Sequence, residues 1–153
     1  MTLVGYWPLN EASSNSAGTA YDYAGDNVGV ITGAGPAGTG TVSGPIGQSA
    51  YKFDGSDDYV SSSTSFSFAG KDHSVSVWFN TPRTTGSNNS YQALYNWNKS
   101  YAGLWTRNNS INYFSGDGSG AIVTGGTYST DVWNHAVAIR RENVHKLLLN
   151  GVK

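Results

Sequence analysis

The sequence predicts an all-β protein, an antiparallel sandwich or barrel, and three observations predict it. Charged residues make up only 12% of the 153 positions, with Lys and Glu few, so residues that favour helices are thin. Aromatics reach 13% and stand among many Val and Thr, which suits a pleated, half-buried surface. Short runs of alternating or apolar character recur between clusters of Gly, Asn, Ser and Pro, with 20 glycines marking the breaks.

Taken in order, strands are expected at Leu3–Trp7, Ser49–Asp54, Tyr59–Ser62, Ser74–Asn80, Tyr91–Trp97, Ala102–Arg107, Ser110–Ser115, Ala121–Thr124, Trp133–Arg140 and Val144–Leu149. Between the first two, Gly33–Gly47 is rich in Gly, Ala, Thr and Pro and reads as an exposed irregular loop. In the fourth strand Val75, Val77 and Phe79 share one face, and Ser74, Ser76 and Trp78 share the other. In Trp133–Arg140, His135, Val137 and Ile139 oppose Asn134, Ala136, Ala138 and Arg140. Leu147-Leu148-Leu149 runs into Asn150-Gly151, a hairpin signal.

Length and charge set outer bounds. At 16.2 kDa the chain, residues 1–153, reads as a single domain with room for a core. The net charge of -1, with Lys and Arg scattered, leaves no basic footprint for nucleic acid, and Arg140-Arg141 reads as an exposed pair at a strand end. No apolar run has the length of a membrane span, and Met1 leads directly into domain-like sequence, so neither membrane insertion nor a signal peptide is expected. The absence of Cys removes disulfides, thiol catalysis and cysteine-ligated zinc.

Several landmarks recur in a recognisable order. Leu3-Val4-Gly5-Tyr6-Trp7-Pro8-Leu9-Asn10-Glu11 opens the chain, and Tyr21-Asp22-Tyr23-Ala24-Gly25-Asp26-Asn27 follows. Next come Ala50–Gly55, Asp58-Tyr59-Val60 and Ser74–Phe79, then Trp133-Asn134-His135 and Leu148-Leu149-Asn150-Gly151-Val152. Together they resemble the laminin-G-like jelly-roll domains of the concanavalin A-like lectin and glucanase superfamily, which implies a two-sheet antiparallel jelly roll. Members of that superfamily continue past the Asn-Gly turn to closing strands, so the domain is expected to be incomplete at its C-terminus. No cofactor is expected to be required; the resemblance allows calcium, with Asp22, Asp26 and Asn27 as the candidate ligands. Hard cations take roughly six to eight oxygen ligands, and a hydrogen-bonded Asx-rich turn is the alternative for these residues.

Catalysis is not expected. The Glu-x-Asp-x-x-Glu pattern of the glucanase branch is missing, and the two glutamates, Glu11 and Glu142, sit near strand ends. Asp54, Asp57 and Asp58 crowd one Gly-containing turn, where Asp side chains ordinarily bond nearby backbone N–H groups. His73, His135 and His145 lack the spacing of a zinc helix.

Recognition chemistry concentrates in Tyr91–Phe114, where aromatic residues alternate with Asn. Sugar rings offer apolar C–H faces to aromatic rings, and amides bond their hydroxyl rims. With Ala102, Leu104 and Thr106 inward, Tyr101, Trp105 and Arg107 project outward together. The candidate contact set is Asn96, Trp97, Asn98, Tyr101, Trp105 and Arg107, for a glycan or for a protein surface, since interfaces select the same residue types. The expected function is thus a non-catalytic recognition or adhesion module, extracellular or on a virion surface. The alternative is a structural assembly protein, such as a virion decoration or fibre subunit, held by strand sharing or homo-oligomeric contacts.

Overall fold

The computed structural model describes residues 2–11, 18–32, 40–45, 49–64, 66, 68, 70–82, 91–97, 103–114 and 122–153. Among them every ladder is antiparallel, and no helix is long and apolar enough to cross a membrane. The chain forms two compact units, Met1–Ser65 and Phe66–Lys153.

The first unit contains β1 (Thr19–Ala20), β2 (Gly29–Thr32), β3 (Gly40–Ser43), β4 (Ser49–Lys52) and β5 (Tyr59–Ser62). They form a sheet of order β1-β2-β5 and a hairpin of β3 with β4. Two expectations are corrected here. Part of the Gly33–Gly47 loop is strand β3, whose Val42 stands opposite Ala50 of β4; a short Thr-Val-Ser run was hidden by the glycines around it. Leu3–Trp7, conversely, is not a strand, because its polar groups are captured elsewhere. The Tyr6 N–H donates to the Asp22 carboxylate at 2.7 Å, and the Trp7 indole N–H donates to the Asn27 carbonyl at 2.8 Å. Pro8 then has no N–H to give a ladder, and Leu9 turns the chain with φ 53°.

The second unit contains β6 (His73–Phe79), β7 (Gln92–Asn96), β8 (Gly103–Arg107), β9 (Ser110–Phe114), β10 (Ile122–Thr127), β11 (Asn134–Arg141) and β12 (Val144–Leu149). Two sheets, β10-β9-β8-β7 and β12-β11-β6, pack as a sandwich. Leu104, Ile111 and Tyr113 from the first meet Phe79, Ala136, Ala138, Leu147 and Leu149 from the second in one core. Each large apolar side chain buried there contributes roughly 2 kcal/mol from removed water contact. Small residues let the layers approach. A Cβ on Gly125 of β10 would sit 3.0 Å from Leu147 of β12, tighter than ordinary packing allows.

The alternation expected for β6 and β11 holds, and it corrects one residue. Asn134, Ala136, Ala138 and Arg140 are the buried face of β11, so Arg140 is buried rather than exposed, and only Arg141 meets solvent. Asn134 stitches the sandwich end. Its amide donates to the Ser129 and Val132 carbonyls at 2.8 and 3.0 Å, and its Oδ1 accepts from Asn150 at 3.2 Å. Asn150 in turn accepts the His135 backbone N–H at 2.8 Å, tying the Asn-Gly turn to the start of β11.

Candidate functional site

The outward face of the four-stranded sheet is the candidate site. Leu104 and Thr106 of β8 are buried, which sends Trp105 and Arg107 to the opposite side. Register fixes their neighbours: Trp105 stands between Ala93 of β7 and Asn112 of β9, and Asn112 stands opposite Thr124 of β10. Directly opposed residues lie roughly 5 Å apart at Cβ, so this row forms one continuous surface. Tyr91, just before β7, meets Trp105 edge-on at 6.2 Å and 82°, and the Arg107 guanidinium lies over the Tyr91 ring at 4.9 Å. Thr124 Oγ1 donates to Asn112 Oδ1 at 3.0 Å, and the Asn112 amide donates to the Ser110 carbonyl at 3.2 Å. Asn96 is exposed at the end of β7, paired with Gly103.

Not all the expected residues join this face. Asn98 and Tyr101 lie outside the described residues. Trp97 goes inward. It packs against the core and touches the rings of Phe68 at 5.7 Å, His73 at 5.3 Å, Tyr95 at 5.8 Å and Tyr113 at 6.4 Å. The cause is a bulge in β7, where the register shifts between Ala93 and Tyr95. Ala93 opposes Trp105 on the outside, while Tyr95 opposes Leu104 on the inside, and Trp97 follows it. Gly103 accommodates the kink, since a Cβ there would collide with the Tyr95 carbonyl oxygen. Tyr91 and Asn112 are the members sequence reasoning left out of the site. Both lay in the aromatic segment, but only the register shows that they flank Trp105.

Of the expected calcium ligands, Asp22 has both carboxylate oxygens hydrogen-bonded within the turn and to Tyr6. Asp22 Oδ1 accepts the Tyr6 and Ala24 N–H groups at 2.7 and 2.9 Å, and Oδ2 accepts the Asn27 N–H and side-chain amide at 3.3 and 3.0 Å. Desolvation pushes this carboxyl up, but the four hydrogen bonds outweigh it and hold the pKa at about 2. Those four donors fill the usual lone-pair positions of a carboxylate, and the Asn27 amide also donates to the Val4 carbonyl at 3.1 Å. Asp26 is exposed, with its carbonyl accepting the Val28 N–H at 3.1 Å. A calcium ion bound at Asp22 would have to displace these donors.

Among the described residues, Asp54, Asp57 and Asp58 are the acids that come together, with carboxylate oxygens within 4.8 Å. Their bonds are those of a turn. Asp54 Oδ1 accepts the Ser56 N–H at 2.7 Å, and Asp58 Oδ2 accepts the Asp54 N–H at 2.9 Å. Glu11 accepts the Tyr21 N–H at 2.7 Å in the first unit, and Glu142 occupies the β11–β12 turn of the second.

The three histidines also find their places. His135 stacks on Trp78 at 4.6 Å and bonds Ser76 Oγ through Nε2 at 2.8 Å, on the outer face of the β12-β11-β6 sheet. His73 and His145 face inward as the cross-strand neighbours of Arg140.

An antiparallel sandwich with one closed core face and one open aromatic and polar face is the framework of a binding module. The chain belongs to the concanavalin A-like lectin/glucanases superfamily: a family model of the laminin G type with that description matches residues 54–153. Domains of this kind are typically non-catalytic binding modules. Comparison with curated proteins and with solved structures found no match.

Proposed function

We propose that the protein is a non-catalytic recognition module, displayed on an extracellular or virion surface, that binds glycans on the outward face of β7–β10. The observation that carries this reading is the cluster of Tyr91, Trp105, Arg107 and Asn112 on one side of a sheet whose other side is closed core. Stacking surface and amide edges are what a pyranose needs. No carboxylate belongs to residues 91–114 or 122–127, which supports binding without glycosidic cleavage.

The test is titration with a panel of methyl pyranosides, followed by the indole N–H resonances in heteronuclear NMR. At least one neutral or acidic sugar should shift the Trp105 signal, and Trp105→Ala should weaken that sugar about tenfold, the loss of roughly 1.4 kcal/mol of stacking and contact. A silent panel at millimolar sugar would refute the glycan reading.

A second reading, assembly through protein contacts, is favoured by a different face. Trp78 is 47% exposed and stacked on His135, beside Val137 and Leu148 of the same sheet. Exposed Trp is a frequent anchor of protein interfaces.

A further inference from the structure

Resting on the glycan reading, we propose that this face takes a linear oligosaccharide laid diagonally across β7, β8 and β9, and that Phe114 is a further binding residue. Strand register carries the inference. Trp105 stands opposite Ala93 of β7 and Asn112 of β9. Tyr91 lies two residues before Ala93, and Phe114 lies two residues beyond Asn112. Residues two apart on a strand share a face, and antiparallel neighbours run in opposite directions. Tyr91, Trp105 and Phe114 therefore fall on one diagonal of the outer face, each step one strand across and two residues along. Ile111 and Tyr113 fill the core from the other side of β9, which leaves half-buried Phe114 outward with Asn112.

Geometry narrows the occupant. Diagonal neighbours on a sheet lie about 7 Å apart, so the two steps of this stripe span roughly 14 Å, longer than one pyranose ring. The first step agrees with that spacing, since the Tyr91 and Trp105 ring centroids are 6.2 Å apart. The flanks of the stripe differ. On one side Trp105 adjoins Ala93 and Phe114 adjoins Gly103, so no bulky side chain interrupts the row of rings there. On the other side stands Asn112, which accepts from Thr124 at 3.0 Å and donates to the Ser110 carbonyl at 3.2 Å. Those bonds use one amide proton and one lone pair, and the second of each is placed to meet neighbouring sugar hydroxyls. Tyr91 and Trp105 cross at 82°, so consecutive sugars that touch both are turned against each other. A free chain allows that turn, and the flat ribbon of a crystalline polysaccharide does not.

The experiment titrates the complete chain with malto-, laminari-, xylo- and cello-oligosaccharides of one to four rings, followed by NMR. In at least one series the trisaccharide should bind about tenfold tighter than the single ring, the scale of one added aromatic contact. This readout needs no variant. Phe114→Ala should remove most of that gain, and Phe114→Tyr should keep it. The chain should not be retained on microcrystalline cellulose. Equal affinity for one ring and for three in every series that binds would overturn this inference while leaving the glycan reading intact. A gain that survives Phe114→Ala would overturn the role of Phe114. Retention on microcrystalline cellulose would overturn the free-chain assignment. Silence toward every series, single rings included, would remove the glycan reading and this inference together.

Discussion

His73 concentrates the charge problem of the sandwich interior in one residue. It is buried on β6, with Nδ1 2.8 Å from the Lys71 carbonyl and Nε2 2.7 Å from the Tyr113 hydroxyl. A carbonyl only accepts, so Nδ1 carries the proton and donates, and Nε2 accepts from Tyr113. Both ring nitrogens are thus used in the neutral form. Burial pushes the His73 pKa below 6.5. The Lys71 carbonyl opposes that shift, while Arg140 and His145 add to it by charge repulsion. Because the folded value lies below the unfolded one, the unfolded state binds the proton more readily. His73 therefore leaves stability intact above pH 6.5 and costs stability as pH falls from there through the folded value. Urea denaturation should show a lower midpoint at about pH 5 than at about pH 8, and His73→Gln should flatten that dependence. An unchanged slope in the variant would assign the acid sensitivity elsewhere.

At the scale of elements, the β8–β9 hairpin sets the candidate site. Its turn residues Asn108 and Asn109 have φ of 49° and 60°, the left-handed pair that matches the twist of the strands it joins. Asn tolerates this conformation, and a β-branched residue does not. Asn108→Val should cost about 1–2 kcal/mol in chemical denaturation, with Asn108→Gly near neutral. If valine were tolerated, the turn would not be what holds the register of Trp105 opposite Asn112. Much of this element was legible beforehand. The alternation of Leu104, Trp105, Thr106 and Arg107 gave the two faces of β8, and the bounds of Tyr59–Ser62 and Val144–Leu149 agree with the strands observed. The β7 bulge was not legible, since Tyr91, Ala93, Tyr95 and Trp97 share one parity in the sequence. An inserted residue reverses that parity midway and sends Trp97 to the core. The neighbourhood of Arg140 was legible only in part. Its parity put it with Ala136 and Ala138, yet its place at a strand end beside Arg141 favoured exposure until the opposing sheet covered it.

At the scale of the whole molecule, oligomeric state separates the two functional readings. Light scattering of the chain should show a monomer if the sugar face is the functional surface. Assembly through the Trp78 face would instead give a defined oligomer that Trp78→Ser dissociates while leaving sugar binding unchanged. Composition, alternation and turn residues by themselves determined that this protein is all-β, and the ordered landmarks from Leu3 to Val152 carried its resemblance to the laminin-G-like sandwiches. Those are local properties, written in the two-residue period of a strand and the backbone demands of Gly and Asn. Only the tertiary structure decided which aromatic rings face outward, that the Asp22 oxygens are already taken, and that His73, Arg140 and His145 stand side by side in one cross-strand row. Strand register and the covering layer settle those questions, and both are relations between residues far apart in sequence.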